Sequence, residues 1–139
     1  MSEEKELKVV RAWIQNEQGE MLLVKRGKAS YGADKWEFPG GKKEEGENDQ
    51  TGLTREVREE TGLEVVRLSE LIFRYKGVME EGKHRGQILN ESIYRVNLED
   101  FGQINLDNRH TDSGWFRRDK IKELDLSEDA RETIENIGI

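Results

Sequence analysis

One segment, WEFPGGKKEEGENDQTGLTREVREETGLEV beginning at Trp36, constrains this chain more than any other. After a short WEF strand, the only proline and a pair of glycines interrupt any regular element, so PGGKKEEGE reads as loop. A helical pattern follows at once. Asn48 is a suitable N-cap, Leu53 and Val57 make an apolar stripe at i, i+4, and Gly62 supplies a left-handed stop after Thr61. At about 100° per residue, Glu56, Glu59 and Glu60 share one arc of roughly 100° on that helix. Each like-charge pair costs an isolated helix about 0.2–0.5 kcal/mol, and Arg55, four residues before Glu59, offsets only part of it. A bound cation is the simplest compensation. Oxygen ligation without histidine or sulfur suits a hard ion, Mg²⁺ or Mn²⁺, held jointly by carboxylates and a phosphate-bearing ligand. The plainer reading, a solvated acidic face, is preferred for Glu44 and Glu45. The glycines of FPGGK let backbone groups, at Gly40 and Gly41, approach a metal or phosphate with no Cβ in the way.

LKVVRAWIQ (7–15) and EMLLVKR (20–26) flank NEQG, which predicts two antiparallel strands in a hairpin. GKASYGADK (27–35) has loop composition, and a long loop there is a natural seat for function. Further strands are expected at 64–76, 88–99 and 113–118, with a last helix at 126–137 capped by Ser127 and opened by Glu128 and Asp129. With 139 residues, no internal repeat and no linker, one domain over 1–139 is expected. The formal charge of −7 argues against duplex nucleic acid as a partner. The absence of cysteine excludes disulfides, thiolate zinc sites and a cysteine nucleophile. The start, MSEEKELK, has no apolar signal core and no apolar run is long enough for a membrane span, so a cytoplasmic place and no membrane partner are expected. Monomer and homodimer both stay open.

Gly41, five residues, Glu47, seven residues, then REVREETGL from Arg55 to Leu63 resembles a complete box of the Nudix hydrolases, GX5EX7REUXEEXGU with U apolar. The box covers 23 of the 139 residues, and every fixed position is filled. The resemblance implies an α+β fold, an α/β/α sandwich around a mixed sheet, and divalent-metal-dependent hydrolysis of a nucleoside diphosphate linked to a group X. It implies that Glu59 and Glu60, with the Gly40 carbonyl, are the main metal ligands, that Glu47 supports them, and that Glu56 is ligand or general base oriented by Arg55. Two positions depart from the pattern. Gly52 stands where many members carry alanine, a cost of about 1 kcal/mol in helix propensity that touches no ligand. Some members also place a metal-binding glutamate six residues before a late tryptophan; counted back from Trp115 that position is Arg109, with Asp107 and Asp112 nearby as substitutes.

KRGKASYGADKWEFPGGK is similar to MutT-type nucleoside triphosphate pyrophosphohydrolases, which implies that Arg26 reaches phosphate or base and Phe38 packs against the base. A core place for Phe38 and a solvated one for Arg26 are the alternatives. Lys25, Arg26 and Lys42 are the local cations for a triphosphate. The proline and tyrosine that mark ADP-ribose and diadenosine polyphosphate relatives are missing downstream, where the chain reads VMEEG. An asparagine expected near the final helix is replaced around Asp129. Val9, Arg11 and Trp13 alternate onto one strand face. The resemblance implies that this face borders the base pocket, with Arg11 in place of an apolar wall, while Trp13, Trp36 and Trp115 suit the core. His84 and His110 default to the surface, His110 being also a candidate contact. The favoured substrate is thus a nucleoside triphosphate, canonical or oxidised; ADP-ribose, a nucleotide sugar and a dinucleoside polyphosphate are the alternatives. A non-catalytic nucleotide sensor on the same fold is the rival class, and isoprenoid diphosphate isomerisation would need the cysteine the chain lacks.

Overall fold

The computed structural model describes residues 6–28, 33–79 and 82–137. Its elements are β1 (Glu6–Trp13), β2 (Met21–Arg26), β3 (Trp36–Glu37), β4 (Gly40–Lys42), α1 (Asp49–Thr61), β5 (Val65–Val78), β6 (Ile88–Leu98), β7 (His110–Phe116), α2 (Arg118–Ile121) and α3 (Glu128–Asn136). Four strands make a mixed sheet in the order β4-β1-β6-β5, with β1 parallel to β6; three make a second sheet in the order β3-β2-β7. Neighbouring side chains of β1 point to opposite faces. Val10 and Ala12, with Ile14 beyond them, pack with Leu53 and Val57 of α1. Trp13 packs on the other side with Phe38, Ile93, and Ala130 and Ile134 of α3. Helices therefore cover opposite faces, and the α/β/α arrangement of the expected α+β fold is present.

The hairpin expectation needs correcting. Residues 16–19 do turn the chain, with Gly19 at φ +80° and the Asn16 side chain accepting from the Gln18 and Glu20 amides at 3.0 and 2.9 Å. Pairing is confined to the turn end, where Leu22 donates to the Ile14 carbonyl and Gln15 bridges Met21. Beyond that β1 and β2 part into different sheets, because both are apolar on two faces and only separate layers bury both. The loop reading of PGGKKEEGE is corrected as well: Gly40–Lys42 is a strand antiparallel to β1. Pro39 has no N–H to donate, but its carbonyl accepts from the Ala12 amide at 2.8 Å. At Gly40, φ +149°, a Cβ would lie 2.0 Å from the Val10 carbonyl oxygen, so only glycine lets β4 approach β1.

α1 begins and ends where local signals place it. Asn48 accepts from the Thr51 amide at 2.8 Å, and Gly62, φ +80°, donates back to the Arg58 carbonyl. Ser127 holds the N-cap position of α3 but makes no capping side-chain bond. The strand expected at 113–118 starts earlier, at His110, and α2 is an additional short helix. Residues 29–32 of the expected loop, Glu80 and Glu81 of VMEEG, and residues 1–5 lie outside the described residues. No described helix is long and apolar enough to cross a membrane.

Candidate active site

α1 lies beside β4 with two of its glutamates turned inward. Glu56 and Glu60 are 5% and 2% exposed, whereas the Glu59 side chain is half exposed. Glu60 accepts from the Gly40 amide at 3.2 Å. The Glu56 carboxyl lies against Gly41, where a Cβ would come within 2.6 Å of it. Gly41 thus makes room for a carboxylate as well as for any phosphate. Burial raises the pKa of Glu56, with Arg55 and Arg109 opposing. Burial, reinforced by the negative charge of Glu37, pushes Glu60 up to about 8.

Arg55 binds this group together. Its Nε and Nη2 grip the two oxygens of Glu47 at 2.6 and 2.9 Å, and Nη1 reaches Glu59 at 3.2 Å and Glu56 at 3.4 Å. The grip holds the Glu47 carboxyl down at about 2. Glu47 also accepts from the Glu44 amide at 2.7 Å, so both its oxygens have protein partners.

A second cluster of charge lies deeper. Arg11 is 8% exposed, donates to the Phe38 and Gly40 carbonyls at 3.1 and 3.2 Å, and pairs with Glu91, Glu37 and Asp129 at 3.4, 3.5 and 3.7 Å. Burial alone would lower its pKa; the three carboxylates outweigh that and raise it. Arg26 pairs with Glu37 at 3.2 Å. His110, placed at the surface by default, is buried between Asp107 at 2.7 Å and Glu37 at 3.1 Å. Burial opposes its charging, but Glu37, Glu60 and Asp107 raise its pKa.

A cavity of about 1200 Å³ is lined by Arg11, Arg26, Gly40, Gly41, Lys42 and Glu60 together with Glu37, Tyr75, Glu91, Arg109, His110 and Asp129. Glu47, Arg55, Glu56 and Glu59 adjoin it across Gly41. Phe38 is not there. It is 2% exposed in the core, its ring 5.6 Å from that of Trp13, so the expectation that it packs against a base is corrected to its core alternative. Adjacent residues on an extended segment face opposite ways, and Glu37 takes the cavity side. Asp112 is exposed on β7 and does not line the cavity, whereas Asp107 pairs with both Arg109 and His110. Glu37 and Glu91 escaped sequence reasoning as site residues, whereas His110 takes the place of its other reading, a candidate contact, and lines the cavity. The one signal of the two glutamates was an acidic residue within a strand, and Arg11, the partner that explains both, lies on β1.

These groups fit a hard divalent cation. Glu56 Oε1 is buried with no hydrogen-bond partner, a state that costs roughly 1–3 kcal/mol or more for a polar atom. Glu60, exposed Glu59 and the Gly40 carbonyl offer further oxygen. Among the described residues no three acidic or imidazole groups close a cage, and none is needed for an ion that keeps its waters and shares a phosphate.

The molecule is thus an α/β/α sandwich with a carboxylate helix beside a cavity lined by arginine, lysine and acidic side chains. The chain belongs to the Nudix family: the NUDIX domain model matches residues 5–137. It is 39% identical over 59 residues to an 8-oxo-dGTP diphosphatase of Escherichia coli (strain K12), covering 42% of this chain and 46% of that protein. It is 45% identical over 60 residues to a CTP pyrophosphohydrolase of the same organism, covering 43% and 44%. The chain spans about half the length of these curated relatives. The crystal structure of a MutT protein from Methanosarcina mazei Go1 is similar over nearly the whole fold: TM-score 0.85, 27% identity, 99% of this chain and 96% of that one.

Proposed function

We propose that this chain, as a single cytoplasmic domain over 1–139, hydrolyses a nucleoside triphosphate to the monophosphate and pyrophosphate with Mg²⁺ or Mn²⁺. The observation that carries the reading is the buried, unpartnered Glu56 Oε1 beside a cavity lined by Arg26 and Lys42. The names of the two curated relatives, a diphosphatase of 8-oxo-dGTP and a pyrophosphohydrolase of CTP, point to the same substrate class.

Glu59, Glu60, Glu56 and the Gly40 carbonyl would hold the ion, with Glu47 supporting them through Arg55. When bound, the ion supplies positive charge that polarises the phosphoryl oxygens. Glu56 takes a proton from the attacking water, and Arg55 Nη1 fixes its direction. Water adds across the anhydride between the α and β phosphorus atoms, the bridge between them breaks, and the monophosphate and pyrophosphate are released. Arg26 and Lys42 meet the phosphates, and Gly41 keeps the backbone open to them. Arg11, clamped by three carboxylates, is a fixed polar wall of the base pocket in place of an apolar one.

The test is a panel of canonical and oxidised nucleoside triphosphates, ADP-ribose, nucleotide sugars and dinucleoside polyphosphates with Mg²⁺, the products resolved by chromatography. The expected result is pyrophosphate from triphosphates, lost in chelator and restored by Mg²⁺ or Mn²⁺. Two organic monophosphates from ADP-ribose or a dinucleotide, with triphosphates inert, would overturn the substrate and keep the metal mechanism. Binding without turnover of any of them would leave the sensor reading.

A further inference from the structure

We propose that Arg109 is a tethered counter-ion of the carboxylate face, which yields Glu56 and Glu60 to the divalent cation and turns to the phosphates of the substrate. The inference rests on the pyrophosphohydrolase reading above. Arg109 Nη2 stands 3.0 Å from Asp107 Oδ2, 3.8 Å from Glu60 Oε2 and 3.9 Å from Glu56 Oε1. The last distance is too long for a hydrogen bond, which is why Glu56 Oε1 stays unpartnered although a guanidinium lies beside it. The Glu56 carboxylate therefore sits between two arginines, Arg55 on Oε2 and Arg109 on Oε1.

The two are not equivalent. Arg55 is about one-fifth exposed and committed, bidentate to Glu47 and bonded to the Lys42 carbonyl at 3.3 Å. The Arg109 side chain is 54% exposed and hydrogen-bonds only Asp107, two residues back on the same turn. Its backbone is held, since Gly27 donates to the Arg109 carbonyl at 2.8 Å and the Arg109 amide donates to Asp107 at 3.2 Å. Only the side chain has to move. Arg55 reaches Glu56 from Oε2, the side away from Glu60, whereas Arg109 stands before Glu56 Oε1 and Glu60 Oε2 together, where a divalent cation shared by the two would be repelled by it. Arg109 also lines the cavity with Arg26 and Lys42, so the direction open to it leads towards the phosphates. The cation and the arginine thus exchange partners: the ion takes the glutamates and the guanidinium takes a phosphate, where its planar fork can bind two oxygens.

Binding of Mn²⁺ to the substrate-free protein tests this directly, followed by the loss of the free-ion electron paramagnetic resonance signal in wild type, Arg109→Ala, Arg109→Gln and Arg109→Lys. Arg109→Ala and Arg109→Gln are expected to bind Mn²⁺ about tenfold more tightly, since the competing cation is gone, with Arg109→Lys near wild type. In steady state the same two variants should raise KM for a triphosphate more than they change kcat, and Arg109→Lys should recover part of that loss. Wild-type Mn²⁺ affinity in Arg109→Ala and Arg109→Gln, or an unchanged KM, would overturn the role of Arg109 alone. Failure of wild type and variants alike to bind Mn²⁺ would overturn the carboxylate site itself, and this inference with it.

Discussion

Glu60 holds its carboxyl where water scarcely reaches it, and the consequence is a pH dependence whose sign follows from that burial. Its ordinary pKa of 4.5 is pushed up to about 8 in the folded chain without metal. Between those values the folded chain holds a proton that the unfolded chain has lost, so stability falls as pH rises through the window and levels off above it. Glu60→Gln keeps the bond from the Gly40 amide and removes the titration. In chelator, the melting temperatures of wild type and variant should converge in acid and separate by about pH 8, the variant being higher. Parallel curves would show that Glu60 is not held as a buried acid. Turnover by the same variant should drop by orders of magnitude. Gly41→Ala tests the neighbouring contact, because its Cβ has only 2.6 Å to the Glu56 carboxyl and must displace it. Turnover should fall while the fold persists; full activity would mean that the position of Glu56 is not needed. Spacing alone put Glu56, Glu59 and Glu60 on one face, since helical period is a local property. It could not tell that Glu37 rather than Phe38 faces the cavity, because that depends on which side of β3 the second sheet leaves open.

At the scale of elements, α1 is legible end to end while β4 is not. Asn48 and Gly62 act through bonds to residues three or four positions away, so their chemistry is written within the segment. β4 exists because Gly40 can approach Val10, some thirty residues earlier in the chain, and no local pattern announces that. Gly52 joins the two cases. Glycine there costs about 1 kcal/mol of helix propensity relative to alanine. A Cβ, however, would meet Glu47 Oε1 and Lys43 Cγ at 3.2 Å each, so the position is not remote from the site as the family pattern suggested. Glu47 is gripped by Arg55 and gives way less readily than a free side chain. Gly52→Ala is therefore expected to stabilise by less than the full value of about 1 kcal/mol. A larger gain in a denaturant titration would show that the Glu47–Arg55 pair moves freely.

For the whole molecule the question is how a chain of net charge −7 admits a triphosphate. Composition said only that extended polyanions are poor partners, and the placement of charge sharpens this. Three of the acids that line the cavity are already paired: Glu37, Glu91 and Asp129 contact Arg11, and Glu37 also contacts Arg26. That network draws on β1, β2, β3, β6 and α3, which is why no window of sequence displayed it. Lys42 differs. It is exposed at the cavity wall and, among the described residues, has no carboxylate within 4.0 Å. Two fields then compete during encounter: the repulsion of the whole surface and the attraction of this near cation. Both are screened by salt, with a Debye length of about 8 Å at physiological ionic strength. Because the attraction acts in a low-dielectric cleft that focuses its field, it should dominate close approach. Raising the ionic strength at saturating Mg²⁺ is therefore expected to lower kcat/KM for a nucleoside triphosphate. Lys42→Ala should lower it further at low salt and flatten the slope, and Lys42→Arg should restore both. A rate that instead climbs with salt would mean that the net negative charge governs the encounter and that Lys42 is not the group that draws the phosphates in.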